Sequence, residues 1–257
     1  MIDNHQLNQN SFVLNLYVHY IKNFLSLLCS SISIILLSRY SFLIASLLPI
    51  KVIFILNNKK TPNYIESIFP SISFENLIFL LCLISFILFI IHFLCEKLIR
   101  TFQNKILTQT SRDKSNLALT KGEKFVIEMS FTKISESLAY ILFILLSILL
   151  YFFIFFELAI FILAFILLIT ISLFFLKSSL KYNQRLITTS SIMANLFFLF
   201  SFLFIVYLHL YYDQYNILIS VISLLIFRQS TSYIVNILSS FMFFSKHHTK
   251  IQLLILR

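Results

Sequence analysis

Nearly uncharged stretches of Ile, Leu and Phe fill residues 76–95, 137–156, 158–176, 196–212 and 217–227. A water-soluble domain of 257 residues must turn a large share of its side chains outward, and 59% of these are hydrophobic. Lipid is the solvent that accepts such a surface. A helix of roughly 20 residues crosses a hydrocarbon core about 30 Å thick, and its backbone groups are satisfied within the segment. Strands of a membrane barrel would alternate polar and apolar side chains, whereas these runs are apolar on every side. The sequence predicts an all-α, polytopic integral membrane protein forming a single transmembrane domain.

Along the chain, residues 11–28 are apolar but carry Asn15, His19, Lys22 and Asn23 at helical spacing on one face, the pattern of an amphipathic helix lying at the membrane interface. About six spans follow, at 31–56, 76–95, 134–155, 158–176, 191–210 and 217–244. The first contains Arg39, Pro49 and Lys51; two shorter spans broken near Arg39 are the alternative. Glu157 marks a very tight turn between the third and fourth spans. The N-terminus lacks the basic stretch and small-residue cleavage site of a signal peptide, and is expected to be retained.

The net charge of +10 comes from 20 basic and 10 acidic residues. The basic ones gather between apolar runs, at 96–125, at 177–185 and at the C-terminus, while 57–75, 156–158 and 211–216 are neutral or acidic. The positive-inside rule accounts for this and places both termini on the cytoplasmic side or its equivalent. It leaves no need for nucleic acid as a partner. A single Gly, no Trp and an abundance of Ile, Phe, Asn, Lys and Ser point to an AT-rich genome, and to a bacterial or organellar inner membrane. With no GxxxG pair available, Ser30, Ser31, Ser33, Ser239 and Ser240 are expected to supply close helix contacts.

No nucleotide-binding, metalloprotease, nucleophile-elbow or dinucleotide motif is present, and one glycine cannot build a phosphate-cradling loop. Enzymatic activity, a cofactor and a metal are therefore not expected. Cys29, Cys82 and Cys95 read as small buried hydrophobes, and His247-His248 as a solvated basic tail. Ionisable groups at membrane depth remain, because burying them is costly. Arg39 reads either as a cavity residue or as an arginine reaching for the interface. Arg228, Gln229, Ser230, Thr231 and Ser232 sit midway along the sixth span. Five consecutive polar residues cannot all face lipid, so at least one face of this run is expected to look into the bundle or a water-filled cavity, which makes these residues candidates for a substrate cavity. Lys133 and Glu136 are spaced to pair along one helix face.

The order of these features resembles the transmembrane domain of an ABC exporter: an elbow helix at 11–28, a first span ending in the Pro-containing IASLLPIKVIFIL (44–56), a long outer loop, a span running into a long basic segment at 76–125, a tight turn at 156–158, and a sixth helix leaving the membrane at 225–257. The resemblance implies a half-transporter permease that works as a homo- or hetero-oligomer with a separate ATPase. That ATPase would dock on Arg100, Lys105, Arg112, Lys114 and Lys121, and on Lys181 and Arg185. The chain departs from the pattern in one respect: 55 residues between 158 and 212 leave little length for the second pair of cytoplasmic legs. A structural subunit of a larger membrane complex is the competing expectation.

Overall fold

The computed structural model describes residues 4–58, 73–113, 120–154, 156–176, 183–211 and 217–254. Seven helices carry these residues: α1 (Asn4–Asn58), α2 (Phe74–Asp113), α3 (Lys121–Ile154), α4 (Phe156–Leu176), α5 (Asn183–Tyr211), α6 (Ile217–Lys246) and α7 (His248–Leu254). No strand occurs among the described residues. Among the described residues five helical stretches are long and apolar enough to cross a membrane, and Phe156–Leu168 is a shorter apolar stretch within α4. Large apolar side chains stay on the outside of these helices, for example Phe79, Phe86, Leu145 and Leu199. That exposure fits a protein whose solvent is lipid.

The helices overrun the apolar runs. The 40 residues of α2 span about 60 Å and the 34 of α3 about 51 Å at 1.5 Å per residue, against a core of about 30 Å. Residues 96–113, expected as a connection, are helical. Lys, Arg, Glu, Gln and Leu in this stretch are good helix formers, so polarity ends the span without ending the helix. Thr120 starts α3 through a reciprocal cap. Its backbone N–H and its hydroxyl both donate to the Glu123 carboxylate, at 2.8 and 2.9 Å, and its carbonyl accepts from the Glu123 N–H at 3.1 Å. Glu157 lies in the first turn of α4, where a carboxylate favours the positive end of the helix dipole.

The expected interfacial helix and first span are joined as α1, and the break falls at Phe24 (φ −132°, ψ 28°) rather than near Arg39. Neither Pro nor Gly adjoins Phe24, and no feature of the local sequence explains the kink. Before it, Phe12, Leu16 and Tyr20 form a buried i, i+4 row, while Asn15, Lys22 and Asn23 are exposed and His19 is partly so. This is the amphipathic pattern that the polar spacing predicts.

The chain divides into two compact units, one of residues 34–99 and one of residues 1–33 with 100–257. In the larger unit α6 is the central helix, packed on α3 and α5, with α4 against α3 and α5. Tyr140 stacks on Tyr233 with ring centroids 4.4 Å apart, and Phe143 meets Tyr233 edge-on at 5.0 Å. Farther along, the Tyr151 hydroxyl donates to the Ser223 carbonyl. These contacts fix an antiparallel α3–α6 register. At the basic end, Phe12, Leu16 and Tyr20 join Ile106, Val126, Ile127, Phe131, Phe244 and Ile251 in one apolar cluster.

The smaller unit is an antiparallel hairpin of the later part of α1 and the early part of α2. Ser38, Ser41, Ala45 and Val52 are buried along α1, and Leu77, Leu81 and Ser85 along α2. Small side chains at one face let the two backbones approach, the role that glycine plays in other membrane proteins. The Ser85 hydroxyl donates to the Ala45 carbonyl at 2.9 Å. That acceptor is the one a helical N–H at position 49 would normally satisfy, and position 49 is Pro49, which has none. A hydroxyl on the neighbouring helix replaces the missing donor, so the proline stays inside α1 without breaking it.

Candidate functional site

The expected cavity residues fall in different units: Arg39 belongs to the hairpin, and Arg228 to Ser232 to the larger unit. Arg39 is half-buried and its guanidinium lies 3.6 Å from the Glu96 carboxylate. One turn back along α2, His92 meets Ser38. Nδ1 lies 2.8 Å from the Ser38 hydroxyl and 3.2 Å from its carbonyl, and Phe42 covers the imidazole at 5.1 Å. Arg39, Ser38, His92 and Glu96 thus form a polar seam between two helices. The sequence offered each residue but not the pairing, because 57 positions separate Arg39 from Glu96. A single histidine inside the apolar run 76–95 was the one available signal.

Along α6, the 228–232 run divides by helical geometry. Ser230 and Thr231 point inward and are buried, while Arg228 and Ser232 are exposed and Gln229 is intermediate. The inward hydroxyls bond their own helix: Ser230 donates to the Ile226 carbonyl at 2.9 Å and Thr231 to the Arg228 carbonyl at 2.9 Å. Such back-bonding satisfies a hydroxyl in apolar surroundings without a partner helix. Gln229 Oε1 is buried with no hydrogen-bond donor among the described residues. The Arg228 guanidinium lies over the ring of Phe198 on α5, 5.6 Å from its centroid, and no carboxylate pairs with it among the described residues. A charged side chain midway along a membrane helix costs about 2.5–3.5 kcal/mol on insertion scales, and a cation–π contact returns only part of that. Arg228 therefore still calls for a further polar partner.

Of the expected docking residues, Arg100, Lys105 and Lys121 are exposed at the basic end of α2 and α3, and Lys105 lies over Phe102 at 5.5 Å. Arg112 and Arg185 lie within α2 and α5, whereas Lys114 and Lys181 fall outside the described residues. The expected Lys133–Glu136 pair is present at 3.5 Å. Burial, and then the neighbouring Lys246 and Lys250 charges, hold the His247 imidazole below its ordinary pKa. Ser31 and Ser240 are buried, as the small-residue reading requires, but Ser33 is exposed. Among the described residues no three His, Cys, Asp or Glu side chains come together as a metal site would need.

No known protein family matches the chain, and no curated protein or solved structure matches it.

Proposed function

We propose that this chain is the membrane-embedded subunit of a transporter, a permease of the ABC-exporter type that works with a separate ATPase. The reading takes six spans, with both termini and the basic connections on the cytoplasmic side. Its main support is the overrun of α2 and α3, which carry exposed Arg100, Lys105 and Lys121 beyond the apolar runs. Helical legs of this kind give a soluble motor something rigid to push. Arg228 at mid-helix, with no carboxylate beside it among the described residues, supplies a second support, since it calls for an anion within the membrane.

A structural role in a larger membrane complex is the second reading, favoured by one observation. Helix α4 ends at Leu176 and α5 begins at Asn183, so the second pair of legs is short. Purification from native membranes in mild detergent separates the two. The transporter reading expects a nucleotide-hydrolysing partner to co-purify, and expects Arg100→Glu, Lys105→Glu and Lys121→Glu combined to weaken that association at least about tenfold through charge reversal. Stoichiometric partners that include no ATPase would overturn it in favour of the structural role.

A further inference from the structure

We infer that the seam between α5 and α6 holds the headgroup of an anionic lipid, with its phosphate on Arg228. The Phe198–Arg228 contact fixes the level of the two helices, which run antiparallel and pack on each other. Moving from that contact toward the basic end, three residues on α5 reach Asn195 and four on α6 reach Ser232, and seven and eight reach Ser191 and Asn236, so each pair is level to within about one residue rise of 1.5 Å. Ser191, Asn195, Arg228, Ser232 and Asn236 are all exposed. Arg228, Ser232 and Asn236 follow at i, i+4 and i+8, and so share one face of α6. The result is a polar strip about 12 Å long on two helices whose other exposed side chains are mostly apolar. On the far side of Arg228, the strip ends at exposed Leu199 and Phe202.

Position sets the depth. Arg228 lies about 16 Å along α6 from Ile217, close to the middle of a core about 30 Å thick. The strip thus leads from the middle of the bilayer toward the end that bears exposed Lys246 and Lys250. Acyl chains offer nothing to its amides, hydroxyls and guanidinium, so something polar must cover it.

Charge selects the occupant. The strip has one cation, several neutral hydrogen-bonding groups and no carboxylate, so its complement is an anion with acceptor oxygens, and phosphate suits the guanidinium best. A second copy docked about a twofold axis would set this strip against itself and bring Arg228 toward Arg228. A lipid reaches the strip sideways from the bilayer, keeps its chains beside Leu199 and Phe202, and enters by an end whose lysines attract anionic headgroups. The inference rests on the membrane part of the reading above and not on the ATPase, so failure to find an ATPase leaves it standing.

Native mass spectrometry of the purified full chain, titrated separately with phosphatidylglycerol and phosphatidylcholine, tests it. The expected result is a preference for phosphatidylglycerol of at least about tenfold, the scale of one charge-assisted hydrogen bond. Arg228→Gln removes the preference and Arg228→Lys keeps most of it. Asn195→Leu weakens the adduct with the arginine intact, and Lys22→Gln leaves it unchanged. An equal preference in the wild-type chain and Arg228→Gln overturns the proposal, as does displacement of the lipid by millimolar inorganic phosphate, which would mark a site for a soluble anion. Efficient disulfide dimers through Ser232→Cys, in a chain carrying Cys29→Ser, Cys82→Ser and Cys95→Ser, also overturn it, by showing that a second copy covers the strip.

Discussion

Replacing Ser85 with Ala is expected to destabilise the hairpin by about 1–3 kcal/mol, the cost of leaving a buried acceptor unmade. The loss should nearly vanish when Pro49 is also replaced by Ala. Pro49 removes the N–H that would bond the Ala45 carbonyl, and the Ser85 hydroxyl takes its place at 2.9 Å. Restoring the N–H with Pro49→Ala makes the hydroxyl dispensable. A double-mutant cycle read by helical circular dichroism during SDS-driven unfolding measures the coupling. Ser85→Ala should cost under about 0.5 kcal/mol in the Pro49→Ala background, within the scatter of independent sites. An equal cost in both backgrounds would show that Ser85 does not stand in for the missing donor.

Phe143→Ala is the second large effect, expected at about 3 kcal/mol, the low end of the range for a buried phenylalanine. Phe143 is fully buried in the α3–α6 interface and its ring meets Tyr233 edge-on. In lipid the unfolded reference is nearly as apolar as the core, so little transfer energy is lost; what goes is packing around the ring and its aromatic contact. Phe153, on the same helix, is 84% exposed, and Phe153→Ala should stay within about 0.5 kcal/mol of wild type. The same SDS titration measures both. Comparable losses at the two positions would mean that α3 does not bury Phe143 in the bundle while leaving Phe153 to lipid.

The helices were legible because each apolar run carries its own evidence. Uniform hydrophobicity marks a membrane helix regardless of its neighbours, and the Asn15, His19, Lys22, Asn23 face was readable from spacing alone. Lys133–Glu136 was legible for the same reason: both partners lie within one turn. Pairings between distant segments were not. Glu96 could not be matched to Arg39 from the sequence, because its partner lies on another helix. Hydropathy marked the ends of α2 and α3 where polarity begins, yet the helices continue through 96–113 and 121–133 on helix-forming polar residues. Pro49 was visible, but only the fold shows which hydroxyl replaces its donor. The 228–232 run was recognised as unable to face lipid throughout. Helix periodicity then sorted it into a self-bonded inner pair and an exposed Arg228, and only the packing of α5 on α6 placed Phe198, Asn195 and Ser191 alongside.

Outward apolar faces that meet lipid, and basic ends that share one side of the membrane, each leave a distinct labelling pattern. Single cysteines at Phe86, Leu145, Leu199, Lys105 and Lys250, in a chain whose native cysteines are replaced by Ser, test both with a membrane-impermeant maleimide. Positions 86, 145 and 199, each more than half exposed, should resist the reagent in intact membranes and react only after the bilayer is dissolved. Positions 105 and 250 should react from one and the same side. Rapid labelling at 86, 145 and 199 in intact membranes, or labelling of 105 and 250 from opposite sides, would contradict the account.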